Sequence, residues 1–273
     1  MKLQRIYTLV TAEPWLITAP AHQTIQKLVE AHMEGKTAAL NVEYEKPEIT
    51  MQEGGIAVVP VAGVIGKGLS AIEKSCGACG IEDVEDDLAE CLMNELCSGV
   101  VLHIDSPGGA VTGVPELASK ISELAKVKSV VAFTDGQCDS AAYWLAAGCK
   151  GIVASASAEV GSIGVYMPWA DQTKRFEQAG VKMDVIKNTG GTFKGMGIPG
   201  TSLTEEQRAH LQQRVDQIYG MFTGHVTAYR DVKPETMRGQ TFLAAEAKEA
   251  GLIDQIGDIG AAVQMARQLT RKE

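Results

Sequence analysis

Residues 99–124 read GVVLHIDSPGGAVTGVPELASKISEL, and this stretch decides how the rest of the chain is read. GVVLHI (99–104) is nearly all apolar and reads as a short buried strand. It ends in Asp105 and the turn Ser106-Pro107-Gly108-Gly109, after which Val114, Leu117, Ile121 and Leu124 recur at helical spacing. Strand, glycine turn and amphipathic helix in this order make one βα step.

Outward from it the same rhythm continues. IAVVPVAGVI (56–65) reads as a buried strand, and IEDVEDDLAECLMNEL (81–96) places Ile81, Val84, Leu88, Cys91 or Leu92, and Leu96 on one helical face. SVVAF (129–133) is the next strand, followed by a helix from about Ser140 to Ala147 and by GIVAS (151–155). SIGVYM (162–167), a polar helix ending near Gly180, and VKMDVIK (181–187) come next. Thr204 with Gln207 is a capping-box signature for a long helix to about Tyr229. A short helix, LID (252–254) and a last helix from about Ile259 close the chain. Apolar strands alternating with helices predict an α/β fold: repeated βαβ units whose mostly parallel sheet is covered by helices. The expected division is an N-terminal extension (1–50), a main domain (51–258) and a C-terminal helix (259–273). The extension carries an amphipathic piece around Ala21–His32 and a polar stretch, Glu43–Pro47.

The 273 residues suffice for a sizeable core, and 45% hydrophobic with 22% charged residues is ordinary globular composition. A net charge of −9 argues against a nucleic-acid face, which needs clustered Lys and Arg. Six cysteines do not make a disulfide scaffold at this length. Cys76 and Cys79 have CxxC spacing, but no second CxxC or HxxxH completes a metal site, so they read as free thiols in a glycine-bearing loop. No cofactor is expected. IYTLVTAEPWLIT is broken by Glu13 and Pro14, unlike a signal peptide, and no later run approaches the roughly 18 apolar residues of a membrane span. The expectation is a soluble, cytoplasmic protein without a membrane anchor.

The chemistry is read from DGQCDSAAYW (135–144) and GGTFKGMG (190–197). None of the five histidines sits where a Ser-His-Asp arrangement would need it, so a lysine base is the economical reading. Ser140 opens a helix of small residues, whose first N–H groups are unpaired and suited to developing negative charge. The N–H groups of Ala141 and Gly109 are the candidate oxyanion donors, the two glycines of SPGG allowing close approach of a substrate. As a base Lys194 must be neutral, against an ordinary lysine pKa of about 10.4, and burial in its otherwise uncharged loop could bring that about. Lys187 is its local rival. Ser162, in GSIG, could hold the lysine towards Ser140. His103 and Cys138 read as packing residues, Tyr143 and Trp144 as core. Each feature has a bland alternative: Ser140 a plain N-cap, SPGG a turn, Lys194 a solvated lysine.

Taken together, SPGG (106–109), the serine with its aromatic pair (140–144), GSIGV (161–165) and the glycine-aromatic-lysine string (191–194) resemble the signal peptide peptidase family of serine–lysine peptidases. The resemblance covers roughly Gly55 to Asp258 and implies the Clp protease/crotonase fold. It implies Ser140 as nucleophile, Lys194 as general base, Ser162 as the lysine-orienting group, and Gly109 and Ala141 as oxyanion donors. The family usually has two glycines after the nucleophile, where this chain has Ala141 and Ala142. A homo-oligomer is implied, because in this family the lysine loop and sheet edges join subunits. EPWLITAPAHQTI resembles the start of the phage capsid assembly (prohead) protease branch, which implies a protein substrate, the capsid scaffold, and action in the host cytoplasm or prohead interior. The chain ends soon after the fold, so any scaffold is expected to be separate. The competing readings are a soluble signal-peptide or quality-control peptidase, a catalytically idle assembly protein, and a crotonase-type acyl-CoA enzyme.

Overall fold

The computed structural model describes residues 13–33 and 44–271. The first part of IYTLVTAEPWLIT, residues 34–43 of the expected extension with Glu43, and the last two residues of the C-terminal segment lie outside the described residues.

In chain order the elements are β1 (Trp15–Ile17), α1 (Ala19–Met33), β2 (Thr50–Gln52), β3 (Ile56–Ala62), β4 (Val64–Gly66) and α2 (Ala71–Ser75). Next come β5 (Ala78–Gly80), α3 (Ile81–Met93), β6 (Gly99–Asp105), β7 (Gly108–Ala110), α4 (Val114–Val127) and β8 (Ser129–Thr134). Then follow β9 (Gln137–Asp139), α5 (Ala141–Ala147), β10 (Gly151–Ala154), β11 (Glu159–Gly161) and α6 (Thr173–Gln178). The chain ends with α7 (Glu205–Tyr229), β12 (Thr241–Leu243), α8 (Ala244–Glu249), β13 (Gln255–Ile256) and α9 (Ile259–Thr270).

The main sheet has the order β13-β10-β8-β6-β3-β2 and is parallel except for β2. Alternate residues of its strands serve two cores. Ala57, Val59, Val100, Leu102, Ile104, Val130, Ala132 and Ile152 join the large cluster with α3, α4 and α5. Ile56, Val58, Val101, Val131, Phe133 and Val153 pack on the other face with Ala262 and Ala266 of α9. Helices on both faces explain why these strands are apolar throughout. The α/β class read from the sequence is therefore the architecture found.

Two smaller sheets hang from the strand ends. β9 and β11 are parallel, with β12 antiparallel on β11. The other has the order β1-β7-β4-β5, with β1 antiparallel to β7.

Local departures from expectation have physical causes. IAVVPVAGVI splits at Gly63, whose φ is 87° and where a Cβ would run into the Gly77 carbonyl. The helix expected to reach residue 96 stops at Met93, so Cys91 is buried while Leu96 is exposed. SIGVYM is not a strand, because β11 ends where Ser162 turns to a φ of 51°; only Tyr166 keeps a bridge, to Trp15. VKMDVIK finds no strand partner among the described residues, and Ile186 is 99% exposed. Thr204 and Gln207 form the expected capping box.

Candidate active site

Three motif strings converge at the junction of β9 and α5. The SPGG turn is tied to the segment before Ser140, because the Ser106 N–H donates to the Gln137 carbonyl (2.7 Å) and the Asp139 N–H to the Ser106 carbonyl (3.1 Å). The GSIG string is tied to Ser140, whose N–H donates to the Gly161 carbonyl at 2.8 Å. Ser140 has φ 56° and ψ −114°, a backbone conformation that costs an L-residue energy unless its surroundings enforce it. Its side chain makes no cap hydrogen bond, so it is not a plain N-cap.

The candidate oxyanion donors stand differently. The Ala141 N–H, at the first position of α5, has no hydrogen-bond partner among the described residues. The Gly109 N–H lies in the β1–β7 ladder. Thr18 N–H donates to the Pro107 carbonyl (3.0 Å), so the next hydrogen-bonded pair is Leu16 with Gly109, and the Gly109 N–H meets the Leu16 carbonyl. Gly108 has φ 104°, and a Cβ there would strike that same carbonyl oxygen.

Ser162 is 8% exposed, has φ 51°, and donates its N–H to the Gln240 carbonyl at 2.8 Å. Lys194 is not brought to the serines within this chain. It lies exposed in a run of turns, and its side chain makes no hydrogen bond or ion pair among the described residues. Its neighbour Phe193, 40% exposed, packs on His210 with ring centroids 4.5 Å apart. Lys187, the rival, is exposed and donates to the Thr192 carbonyl. Beyond Tyr166 lies a pocket of about 280 Å³ lined by Val165, Tyr166, Met167, Trp169, Leu203 and Leu211 among others.

The packing residues are as expected with one exception. Cys138 is buried, which holds its thiol well above the ordinary range, and Trp144 stacks on Phe222 (4.6 Å, 4°). The Tyr143 hydroxyl donates to the Leu252 carbonyl (2.9 Å). His103 is only half-buried and bonds Asp135 (2.9 Å), because the end of β6 opens to solvent.

Sequence reasoning missed three contributors. Asp139 precedes Ser140, is fully buried, and neither carboxylate oxygen has a hydrogen-bond partner. Burial, reinforced by Glu159, pushes its pKa to about 7. Arg230 bonds the Ala147 and Cys149 carbonyls (3.3 and 3.0 Å) and Asp254 (2.6 Å), closing the C-terminal end of α5. Finally β1 runs past the site. The one sequence signal for Asp139 is its place in DGQCDSAAYW, an acid directly before the candidate nucleophile and the small-residue helix.

The molecule is thus an α/β protein with a strained serine at a strand-to-helix turn, facing a glycine-rich turn. The family model for peptidase family S49 matches residues 122–272, and the chain belongs to this family. The head-tail preconnector protein GP5 of Enterobacteria phage P21 is 32% identical over 205 residues, 74% of this chain and 40% of that protein. Capsid assembly protease C of Escherichia phage lambda is 29% identical over 216 residues, 78% of this chain and 49% of that protein. The chain thus spans about half the length of these relatives or less. Among solved structures, an enoyl-CoA hydratase from Polaromonas aligns with TM-score 0.44 and 15% identity over 82% of this chain and 76% of that one. The ClpP catalytic domain from Plasmodium falciparum aligns with TM-score 0.39 and 13% identity over 74% and 84%. Among the described residues no helix is long and apolar enough to cross a membrane.

Proposed function

We propose that the chain is a serine endopeptidase in which Ser140 is the nucleophile and Lys194 the general base. One observation carries this reading: Ser140 and Ser162, chosen from sequence as nucleophile and lysine-orienting group, are the two non-glycine residues with positive φ among the described residues. Strain of this kind persists where the surroundings over-determine it, and it clusters at functional sites.

In the mechanism, Ser140 Oγ attacks the scissile carbonyl carbon while its proton passes to the neutral Lys194 amine. The Ala141 and Gly109 N–H groups hold the oxyanion, and the lysine ammonium then protonates the leaving amine. Water repeats the sequence on the acyl-enzyme. Ser162 holds the lysine in reach. The lysine loop completes the site when a neighbouring copy covers it, a role that suits the exposed Val181, Ile186 and Phe193. The names of the two phage relatives, a head-tail preconnector protein and a capsid assembly protease, support head assembly as the setting. In that setting the substrate of the 51–258 domain is a capsid scaffold.

The test is cleavage of a scaffold protein, or of an unfolded protein, by wild type, Ser140→Ala and Lys194→Ala side by side. Loss of cleavage in both variants is expected; a fully active Ser140→Ala would sink the proposal.

A further inference from the structure

The N-terminal strand lies in an unusual place for a structural element. Its three residues pair antiparallel with Gly108–Ala110 on one edge, and Trp15 is bridged to Tyr166 on the other. Trp15 N–H donates to the Tyr166 carbonyl (2.8 Å) and Tyr166 N–H to the Trp15 carbonyl (3.2 Å). The Leu16 carbonyl takes the Gly109 N–H, one of the two donors proposed for the oxyanion. The Leu16 side chain is fully buried in the large core, and with the strand in place Ser140 is 1% exposed. The strand is steadied from outside: Trp15 and Ile17 pack with Val29 of α1, and the Tyr166 hydroxyl bonds His22 Nδ1 (2.8 Å).

We propose that Trp15–Ile17 is a built-in occupant of the peptide-binding groove, lying as an extended substrate would, with the Leu16 carbonyl on the oxyanion donor. This rests on the serine-peptidase reading of Ser140. A polypeptide enters by strand exchange: it makes the same backbone bonds to Gly108–Ala110 and Tyr166 that β1 gives up, so side chains and tethering decide the competition. The groove accordingly prefers an extended segment with an aliphatic residue where Leu16 now lies.

The experiment uses the full chain as wild type, as Leu16→Asp, and as the pair Trp15→Cys with Ala110→Cys. Residues 15 and 110 face each other as a non-hydrogen-bonded antiparallel pair, so an oxidised cysteine pair locks the strand in place. Two readouts are taken: anisotropy of a fluorescein-labelled EPWLIT peptide, and the rate at which a fluorophosphonate probe labels Ser140. Leu16→Asp is expected to bind the peptide and to label roughly tenfold faster than wild type, as the open fraction rises. The oxidised pair should bind no peptide and label at least about tenfold slower than the same protein after reduction. Where Ser140 is labelled at all, equal labelling of the oxidised and reduced pair overturns the proposal, whatever the fate of Leu16→Asp. So does a folded Leu16→Asp that neither binds peptide nor labels faster. Peptide binding by Leu16→Asp with no labelling of Ser140 in any variant leaves the strand's role standing and removes the nucleophile.

Discussion

Ser140 and Ser162 are joined through one residue: the Ser140 N–H donates to the carbonyl of Gly161, the residue before Ser162, and both serines have positive φ. The bond fixes the end of β11 against the start of α5. It holds both serines in backbone conformations neither would keep in a free peptide.

Relieving that strain has a measurable consequence. Glycine tolerates positive φ, so Ser140→Gly should be more stable than Ser140→Ala by about 1 kcal/mol. Chemical denaturation of the two variants measures the difference. Equal stability would mean that the turn is unstrained.

Asp139 makes stability depend on pH. Its folded pKa of about 7 lies above the ordinary 3.8, so the folded state holds this proton more tightly than the unfolded chain. The contribution to stability is present below the ordinary value and is lost as pH rises towards and through about 7. Asp139→Asn should remove this slope and be the more stable form at pH 8.5, by no more than about 4 kcal/mol. Denaturation at pH 5 and pH 8.5 tests the sign.

Arg230 closes α5 from below with three acceptors, so Arg230→Met should cost about 2–3 kcal/mol. Arg230→Lys should recover only part, because one ammonium cannot reproduce the planar guanidinium's reach. Thermal unfolding of both variants checks this.

Tyr143 and Trp144 separate packing from chemistry. Tyr143→Phe leaves the Leu252 carbonyl without its donor and should cost about 1–2 kcal/mol, with kcat unchanged. Trp144→Ala, which empties the stack on Phe222, should cost about 3–5 kcal/mol.

Much of this was legible in the sequence because apolar periodicity and turn chemistry are local. The β6–turn–α4 unit, the α7 capping box and the buried faces of the parallel strands follow from such signals. The strands expected at 162–167 and 181–187 failed for a non-local reason, since apolar alternation cannot say whether a partner strand exists. The position of Ser140 at a helix start was readable, but its positive φ depends on Gly161, twenty-one residues on. Nor could β1 have been found beside SPGG, because pairing between residues 16 and 109 leaves no mark in either string.

The most direct test of Ser140 as nucleophile is peptide mapping of the protein after exposure to a fluorophosphonate. A single adduct on Ser140, absent from Ser140→Ala and slow to form in Lys194→Arg, is the predicted result. An adduct on a different serine, or equal labelling in all three proteins, would contradict it.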